Sequence, residues 1–197
     1  MRINQSTDRT RSTAARRDQI VAATITVLAE RGYAATSYDA ICEAAGLSSK
    51  RLISYHFTTK EELLAEVLRR VTADAAETMR PAIEAADGLP EKLAAYIRSN
   101  VEFIAARPDR VRAVQQIVFG GAQVPSEEAD SAVSRLVALF EAGQQAGVFR
   151  RFDSALMAVI LRAAIDAVAG RLVGGAEPAD CARELIETFD RATRVER

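Results

Sequence analysis

Residues 45–64 read AGLSSKRLISYHFTTKEELL, and this stretch decides the fold. Gly46 is suited to a tight turn after a short helical segment, since glycine accepts a positive φ without steric cost. Ser48 follows as the candidate N-cap of a second short helix. Thr59 stands three residues before Glu62, which is the spacing of a capping box at the start of a longer helix. The stretch therefore predicts two short helices joined by a glycine turn, followed by a third helix.

The helical pattern extends along the whole chain. Between glycine and proline breaks, apolar residues recur at three- and four-residue steps, and no segment shows the sustained two-residue alternation of strands. The sequence predicts an all-α protein of about nine helices. Apart from a short third helix capped by Ser48, their expected ranges are about 13–31, 38–45, 59–80, 91–106, 109–119, 126–146, 154–173 and 178–193.

Charge is distributed unevenly along the 197 residues. Residues 1–60 contain nine Lys or Arg against five Asp or Glu, whereas residues 61–197 contain 17 against 22. The hydrophobic fraction of 49% is that of an ordinary globular protein, which argues against disorder. A basic N-terminal part on an acidic remainder is the pattern of a protein that contacts phosphates at one end.

Several function classes find no support in the motifs. There is no nucleophile elbow, phosphate loop or dinucleotide fingerprint, so the sequence predicts neither an enzyme nor a cofactor. Cys42, Cys181 and the single histidine, His56, lack metal-ligand spacing, so no metal site is expected. Residues 1–13 have no apolar core of a secretory signal, and Ser154–Val173 carries three charges. A cytoplasmic protein without a membrane partner is expected.

The second short helix has an outward face suited to DNA. An α-helix turns about 100° per residue. Placing the two apolar residues at 52 and 53 inward therefore leaves Lys50, Arg51, Ser54 and Tyr55 outward. Arginine and lysine donate to guanine, serine serves donor or acceptor edges, and tyrosine contacts phosphate or a thymine methyl. Lys60 would add a charge near phosphate at the start of the next helix. The alternative is the solvated face of an ordinary helix.

Residues 15–65 closely resemble the DNA-binding domain of TetR-family regulators. The resemblance rests on the run 45–64, on Ala29-Glu-Arg-Gly-Tyr33 before it, and on Thr36-Ser37. It implies a flexible basic arm at 1–12, a three-helix helix-turn-helix domain at 13–60, and a helical ligand-binding and dimerisation domain at 61–197. It also implies a bacterial, nucleoid-associated homodimer that binds double-stranded operator DNA.

The resemblance and the outward face together give a predicted DNA-binding set. Its members are Thr36, Ser37, Ser48, Ser49, Lys50, Arg51, Ser54, Tyr55, His56 and Lys60. The stretch from Gly46 to Phe57 is one residue longer than the commonest family form, so either Ser54 or Tyr55 meets the DNA backbone, and both are assigned. His56 either contacts the backbone or packs at the helix exit. The arm arginines either contact phosphates and the minor groove or belong to a solubilising tail. They are Arg2, Arg9, Arg11, Arg16 and Arg17.

Dimerisation and ligand binding are assigned to the remaining helices. Two seams of apolar and small residues are the candidate dimer interface, which the resemblance makes an intersubunit four-helix bundle; alternatively, both seams face the monomer core. The seams are Leu156, Ile160, Ala163, Ala167 and Gly170, and Ala182, Leu185, Ile186 and Phe189. The candidate pocket for a largely apolar small-molecule effector has aromatic walls and a few amides. Its expected residues are Tyr96, Asn100, Phe103, Gln115, Gln116, Phe119 and Phe140.

The expected function is a repressor that leaves a palindromic operator when a small molecule binds. Two alternatives stay open from the sequence: a ligand-independent DNA-binding or architectural protein of the same fold, and an activator.

Overall fold

The computed structural model describes the backbone of residues 3–122 and 127–195, and the side chains of residues 11–122 and 132–195. Within those ranges the chain forms nine α-helices and no strand, so the predicted all-α fold class is confirmed. The helices are α1 (Ile3–Arg31), α2 (Tyr38–Ala45), α3 (Arg51–His56), α4 (Lys60–Glu84), α5 (Leu89–Ala106), α6 (Pro108–Phe119), α7 (Glu127–Gln145), α8 (Ser154–Val173) and α9 (Pro178–Thr193).

The helices are grouped into two compact units. Unit 1 consists of the described parts of Met1–Val71 and Asp109–Pro125, and unit 2 of Thr72–Pro108 and the described part of Ser126–Arg197. The boundary therefore falls inside α4, after Val71, and not at residue 60 as expected. α6 belongs to unit 1, although no sequence pattern indicated that this later helix joins the N-terminal helices.

Two helix bounds differ from expectation for identifiable reasons. α1 begins at Ile3, so most of the expected flexible arm is helical; no glycine or proline interrupts it before Gly32. α4 passes through Pro81 to Glu84. Proline removes one helical hydrogen bond, and the backbone resumes with the amide of Ala85 donating to the carbonyl of Pro81 at 3.0 Å. The expected start of α7 at Ser126 lies outside the described residues, as does Arg2.

The core of unit 1 comes from one face of each N-terminal helix. Its members are fully buried and come from α1, α2, α3, the α3–α4 junction, α4 and α6, as the apolar spacing predicts. They include Ile20, Leu28, Ile41, Ile53, Phe57, Leu63, Leu64, Val67 and Ile117. This shared core fixes how α3 is presented.

α6 docks on the turn between α1 and α2. The side-chain oxygen of Gln116 accepts a hydrogen bond from the backbone amide of Tyr33 at 3.0 Å. Gly120 lies so close to the Tyr33 ring that a β-carbon at this position would overlap it. The absence of a side chain at Gly120 therefore permits the contact that places α6 in unit 1.

Unit 2 is built around α5, α7, α8 and α9. Val101, Val168 and Ala182 are buried together, with Leu172 and Leu185 packed against them. The fully buried Phe140 makes edge-to-face contacts with two further phenylalanines on the α7–α8 connection. An isolated bridge joins that connection to the end of α9.

Candidate DNA-binding surface

The turn between α2 and α3 is held by local hydrogen bonds. Gly46 has φ 62° and ψ 33°, the left-handed conformation that ends a helix at low steric cost. The amide of Leu47 donates to the carbonyl of Cys42 at 2.9 Å, which closes the turn. Gln19 of α1 donates to the carbonyl of Ala45 at 2.6 Å. The end of α2 is thus fixed both to the turn and to α1.

The first turn of α3 begins later than the sequence predicts. Ser48 was expected as the N-cap, but the helix starts at Arg51. The hydroxyl of Ser49 accepts a hydrogen bond from the amide of Arg51 at 3.2 Å, and its carbonyl accepts from Leu52 at 3.1 Å. Ser49 therefore takes the structural role expected of Ser48, and Ser48 is exposed before the helix.

α3 divides cleanly into a buried and an exposed face. Ile53 is fully buried, whereas Arg51, Ser54 and Tyr55 are exposed. Lys50 directly before the helix is also exposed and forms an ion pair with Asp39 of α2 at 3.0 Å. A short helix with a guanidinium, a hydroxyl and a phenol on its open face can offer donors and acceptors to base edges and phosphates.

Tyr55 is the most exposed residue of this set, with 78% of its surface accessible. Its ring meets the His56 ring edge-on, with centroids 5.2 Å apart. His56 is half-buried, and its backbone carbonyl accepts a hydrogen bond from Arg17 at 2.9 Å. Burial, followed by the charges of Arg17 and Arg16, lowers the pKa of His56 below 6.5. Because burial and the nearby positive charges both disfavour the imidazolium, this shift favours the neutral ring of His56.

The start of α4 carries the predicted capping box, with one partner changed. The hydroxyl of Thr59 accepts from the amide of Glu62 at 3.1 Å, but the Glu62 carboxylate accepts from the amide of Thr58 at 2.7 Å, not from that of Thr59. Lys60 is half-buried, with its ammonium 4.7 Å from the centre of the Tyr33 ring. The Lys60 side chain thus lies along Tyr33 at the edge of the surface.

Thr36 and Ser37 act in the framework of the surface. Thr36 is 1% exposed, and its hydroxyl donates to the carbonyl of Gly32 at 2.8 Å. The assignment of Thr36 as a DNA contact is therefore wrong, because its one hydroxyl is buried and already used. Ser37 caps α2 by accepting from the amide of Ala40 at 3.2 Å, yet it stays exposed.

Arg17 links α1 to the end of α3 and to α4, although the sequence analysis named it as a possible phosphate contact. Its guanidinium lies 4.2 Å from the centre of the Phe57 ring and 3.6 Å from a carboxylate oxygen of Glu66. Glu66 also accepts hydrogen bonds from Arg69 and Arg70. Hydrogen bonds from Arg69, and then from Arg70, lower the pKa of Glu66 to about 2 against the opposing effect of burial. Arg70 also pairs with Asp18, so α1 and α4 are joined by a charged network.

Comparison with known proteins agrees with this geometry. The model of the family described as bacterial regulatory proteins, tetR family, matches residues 20–67, which span most of α1, all of α2 and α3, and the start of α4. Over these residues the chain is similar to the tetR family of bacterial regulatory proteins. The match covers the framework and the exposed face of α3 together, so this surface lies in the segment that resembles the DNA-binding domain of that family.

Three similar proteins extend the comparison beyond that domain. The HTH-type transcriptional activator FasR of Mycolicibacterium smegmatis is 33% identical over 89 residues, which is 45% of this chain and 40% of FasR. A TetR family transcription regulator from Marinobacter aquaeolei VT8 has the same fold, with a TM-score of 0.80 at 20% identity, over 95% of this chain and 100% of the other. AibR, solved in complex with isovaleryl coenzyme A and operator DNA, has the same fold, with a TM-score of 0.74 at 19% identity, over 88% of this chain and 97% of AibR.

The residues expected to line a ligand pocket are divided between the two units. Gln115, Gln116 and Phe119 lie in unit 1, where Gln116 binds Tyr33 and Phe119 is 82% exposed. The other four lie in unit 2: Asn100, Phe103 and Phe140 are buried in its core, and Tyr96 lines a cavity. Aromatic and amide content alone could not separate core residues from cavity walls.

The two expected dimer seams differ in exposure. Every residue of the α8 seam is exposed, with Leu156 at 58% and Ile160 at 48%. In the α9 seam, Ala182 and Phe189 are each only 4% exposed and belong to the core of unit 2, so their assignment to an outer surface is wrong. Leu185 and Ile186 are half-buried. None of the described helices is long and apolar enough to cross a membrane.

Proposed function

We propose that this chain binds a two-fold symmetric operator as a homodimer and represses transcription until a small molecule binds unit 2. The observation that carries the proposal is the open face of α3. Arg51, Ser54 and Tyr55 are exposed there on a helix whose opposite side is fixed in a packed core. Rigid presentation of a short polar helix is what readout in the major groove requires.

The exposed face of α8 supports dimerisation. α8 is apolar on most sides: Leu161 and Ile165 face the core, whereas Leu156, Ile160 and Ala163 are exposed. An apolar helix face of this kind is typical of a protein interface. A second copy related by a two-fold axis would cover it and would set two α3 helices roughly 34–36 Å apart, one turn of DNA.

Ligand response is proposed to pass along α4. The first part of this helix contributes Leu63, Leu64 and Val67 to the core of unit 1, and the residues around Pro81 line a cavity in unit 2. A ligand that favours a different position of the second part would change how α3 is presented. We place this action in the cytoplasm, at the nucleoid.

Activation is the second candidate, and one observation favours it. The FasR relative, which shares 33% identity over 89 residues, is named a transcriptional activator. Both candidates use the same DNA surface, and they differ in whether the bound dimer blocks or assists transcription.

Operator binding is the first test. Purified protein is titrated against the DNA flanking its own gene at several salt concentrations, and a two-fold symmetric site should be protected with a steep salt dependence. A transcription assay on that DNA then separates repression from activation. A compound that releases the DNA should itself bind about 5- to 150-fold more weakly when operator is present, because coupling is reciprocal. Ligand affinity unchanged by operator would refute ligand release.

A further inference from the structure

Unit 2 contains a cavity of about 310 Å³ between three helices, here named the α4–α5–α7 cavity. This volume is at the lower end of small-molecule sites. The apolar part of its wall comes from Met79 and Ile83 of α4 and from Leu136 and Leu139 of α7. Such a wall is suited to a short or medium-length hydrocarbon tail.

The same cavity carries an excess of positive charge. Arg80, Lys92 and Arg135 line it, and Glu84 is its one acidic lining residue. Within the described part of the chain, neither Arg80 nor Lys92 has a carboxylate oxygen within 4 Å. Several arginines elsewhere in unit 2 are paired with carboxylates. Residues 61–197 are acidic overall, so a cation-rich cavity is a local departure from their charge balance.

The charge on a nearby arginine is already balanced. Arg162 of α8 donates to the hydroxyl of Tyr96 at 3.3 Å and to Asn100 at 3.1 Å, and it is paired with Asp166. Burial lowers the pKa of Arg162, but attraction to Tyr96 and Asp166 outweighs burial, so its pKa is raised above the usual value. Arg162 anchors the Tyr96 wall of the cavity, and the cations open to a ligand are Arg80 of α4 and Lys92 of α5.

A second cavity of similar size shows that this composition is not general. About 300 Å³ in volume, it lies between α4 and α5 and is lined mainly by alanines. Two carboxylates, Glu91 and Glu102, accompany its single cation, Arg98. Small side chains and an acidic balance give that cavity neither a deep apolar wall nor an anion site.

We propose that the α4–α5–α7 cavity binds a small organic anion with an apolar tail, with the anionic group beside Arg80 and Lys92 and the tail against Met79, Ile83 and Leu139. This inference rests on the proposed function, since it names the chemical class of the effector. The anionic group belongs either to a free carboxylic acid or to the phosphates of a coenzyme A thioester. In the free acid the charge lies at the end of the acyl chain, whereas in the thioester the pantetheine arm separates the phosphates from the chain.

Calorimetry on the full chain with three eight-carbon probes tests the inference. Octanoate and octanoyl coenzyme A carry the charge, and 1-octanol has the same tail without it. We expect one or both anions to bind at least about fivefold more tightly than octanol. Two charge contacts act together in the proposed site, and one partly exposed contact is worth up to about that factor. The tighter of the two anions identifies the source. Equal binding of octanol, or no binding by either anion, would overturn the proposal.

Variants locate the site. Lys92→Gln and Arg80→Gln should each weaken binding of the preferred anion about fivefold and leave octanol unchanged. Arg98→Gln on α5, which lines only the other cavity, is the matched control and should bind as the parent does. Ala76→Phe should block every probe by filling the cavity; if it fails to fold by circular dichroism, the two glutamine variants decide. Unchanged anion affinity in both of them would refute the assignment.

Failure of this inference differs from failure of the proposed function. If the anion binds but operator affinity does not change, the cavity assignment stands and ligand release is wrong. If the anions do not bind but another compound releases the operator, the regulator stands and the ligand class is wrong.

Discussion

Arg17 and Glu66 show how single charged residues stabilise the DNA-binding unit. Arg17 contacts the end of α3 through the His56 carbonyl and the Phe57 ring, and it contacts α4 through Glu66. Glu66 is 8% exposed and is held by three arginines. A buried carboxylate of this kind is tolerated only because its partners offset the loss of hydration.

Glu66→Gln should lower stability at pH 7 by about 3 kcal/mol, since the fall of the Glu66 pKa from 4.5 to about 2 corresponds to about this energy. The folded pKa is depressed, so the stabilisation is complete above about pH 4.5 and is lost as pH falls towards 2. Urea unfolding of both proteins at pH 7, 4 and 3 should show their difference shrinking. Glu61→Gln, at an exposed position of α4, is the matched control and should change stability little. A pH-independent difference would contradict the assignment.

Arg51 and Lys60 should separate base reading from backbone contact. Arg51 is exposed on the open face of α3, so Arg51→Ala should cost about 1–3 kcal/mol, mainly at one base position. Lys60 lies along Tyr33 at the edge of the surface, so Lys60→Ala should weaken all DNA about equally and reduce the salt slope by about one. Binding to a panel of singly substituted operators measures both, and equal loss on every sequence for both variants would show the division to be wrong.

At the scale of elements, α6 docks against the α1–α2 turn within unit 1. It depends on Gln116 at the Tyr33 amide and on the missing side chain at Gly120. The Lys60 ammonium also lies over the Tyr33 ring, so the α1–α2 turn connects α6 with the start of α4. A shift of α6 would therefore act on the edge of the DNA surface through Tyr33.

Gly120→Ala should destabilise the protein by about 1–3 kcal/mol, because the added β-carbon overlaps both the Tyr33 ring and the Gln116 carbonyl. Part of this loss should disappear when Tyr33 is already alanine. Denaturant unfolding of the two single variants and the double variant gives the coupling directly. Strictly additive effects would mean that Gly120 and Tyr33 do not pack together in solution.

At the scale of the whole molecule, the proposed dimer depends on a surface that one chain leaves exposed. The exposed residues of α8 recur on a single face, from Leu156 through Ile160 and Ala163. Burying this face against a second copy would stabilise the dimer by about 25 cal/mol for each Å² of apolar area buried. That free energy would hold two recognition helices together. Operator affinity is then a property of the dimer.

Ile160→Glu should convert the protein into a folded monomer, because the charge would be buried at the centre of the α8 face. Operator affinity should fall about 10²-fold or more, since the two half-sites would no longer be bound together. Sedimentation velocity and operator titration measure the two effects. Val118→Glu, which changes an equally exposed apolar residue in unit 1, should leave the oligomeric state unchanged. A dimer that survives Ile160→Glu would place the interface elsewhere.

The sequence by itself determined the features that depend on local spacing. The Gly46 turn, the Thr59–Glu62 cap, and the exact bounds of α2, α8 and α9 follow from helical periodicity and from residues with strong cap or turn preferences. The exposed face of α3 follows in the same way, since burying Ile53 leaves Arg51, Ser54 and Tyr55 outward.

Only the tertiary structure decided which residues those helices meet. In sequence, Thr36 and Arg17 are both candidates for surface donors. In the structure, the Thr36 hydroxyl donates to the carbonyl of Gly32, and Arg17 joins α3 with α4. Phe103 and Phe140 are candidates for pocket walls in sequence and are buried within unit 2 in the structure. Sequence cannot separate the two positions, because an apolar residue is equally suited to a pocket wall and to a core. The membership of α6 in unit 1 and the cations of the α4–α5–α7 cavity depend on contacts between residues far apart in the chain, which no local pattern encodes.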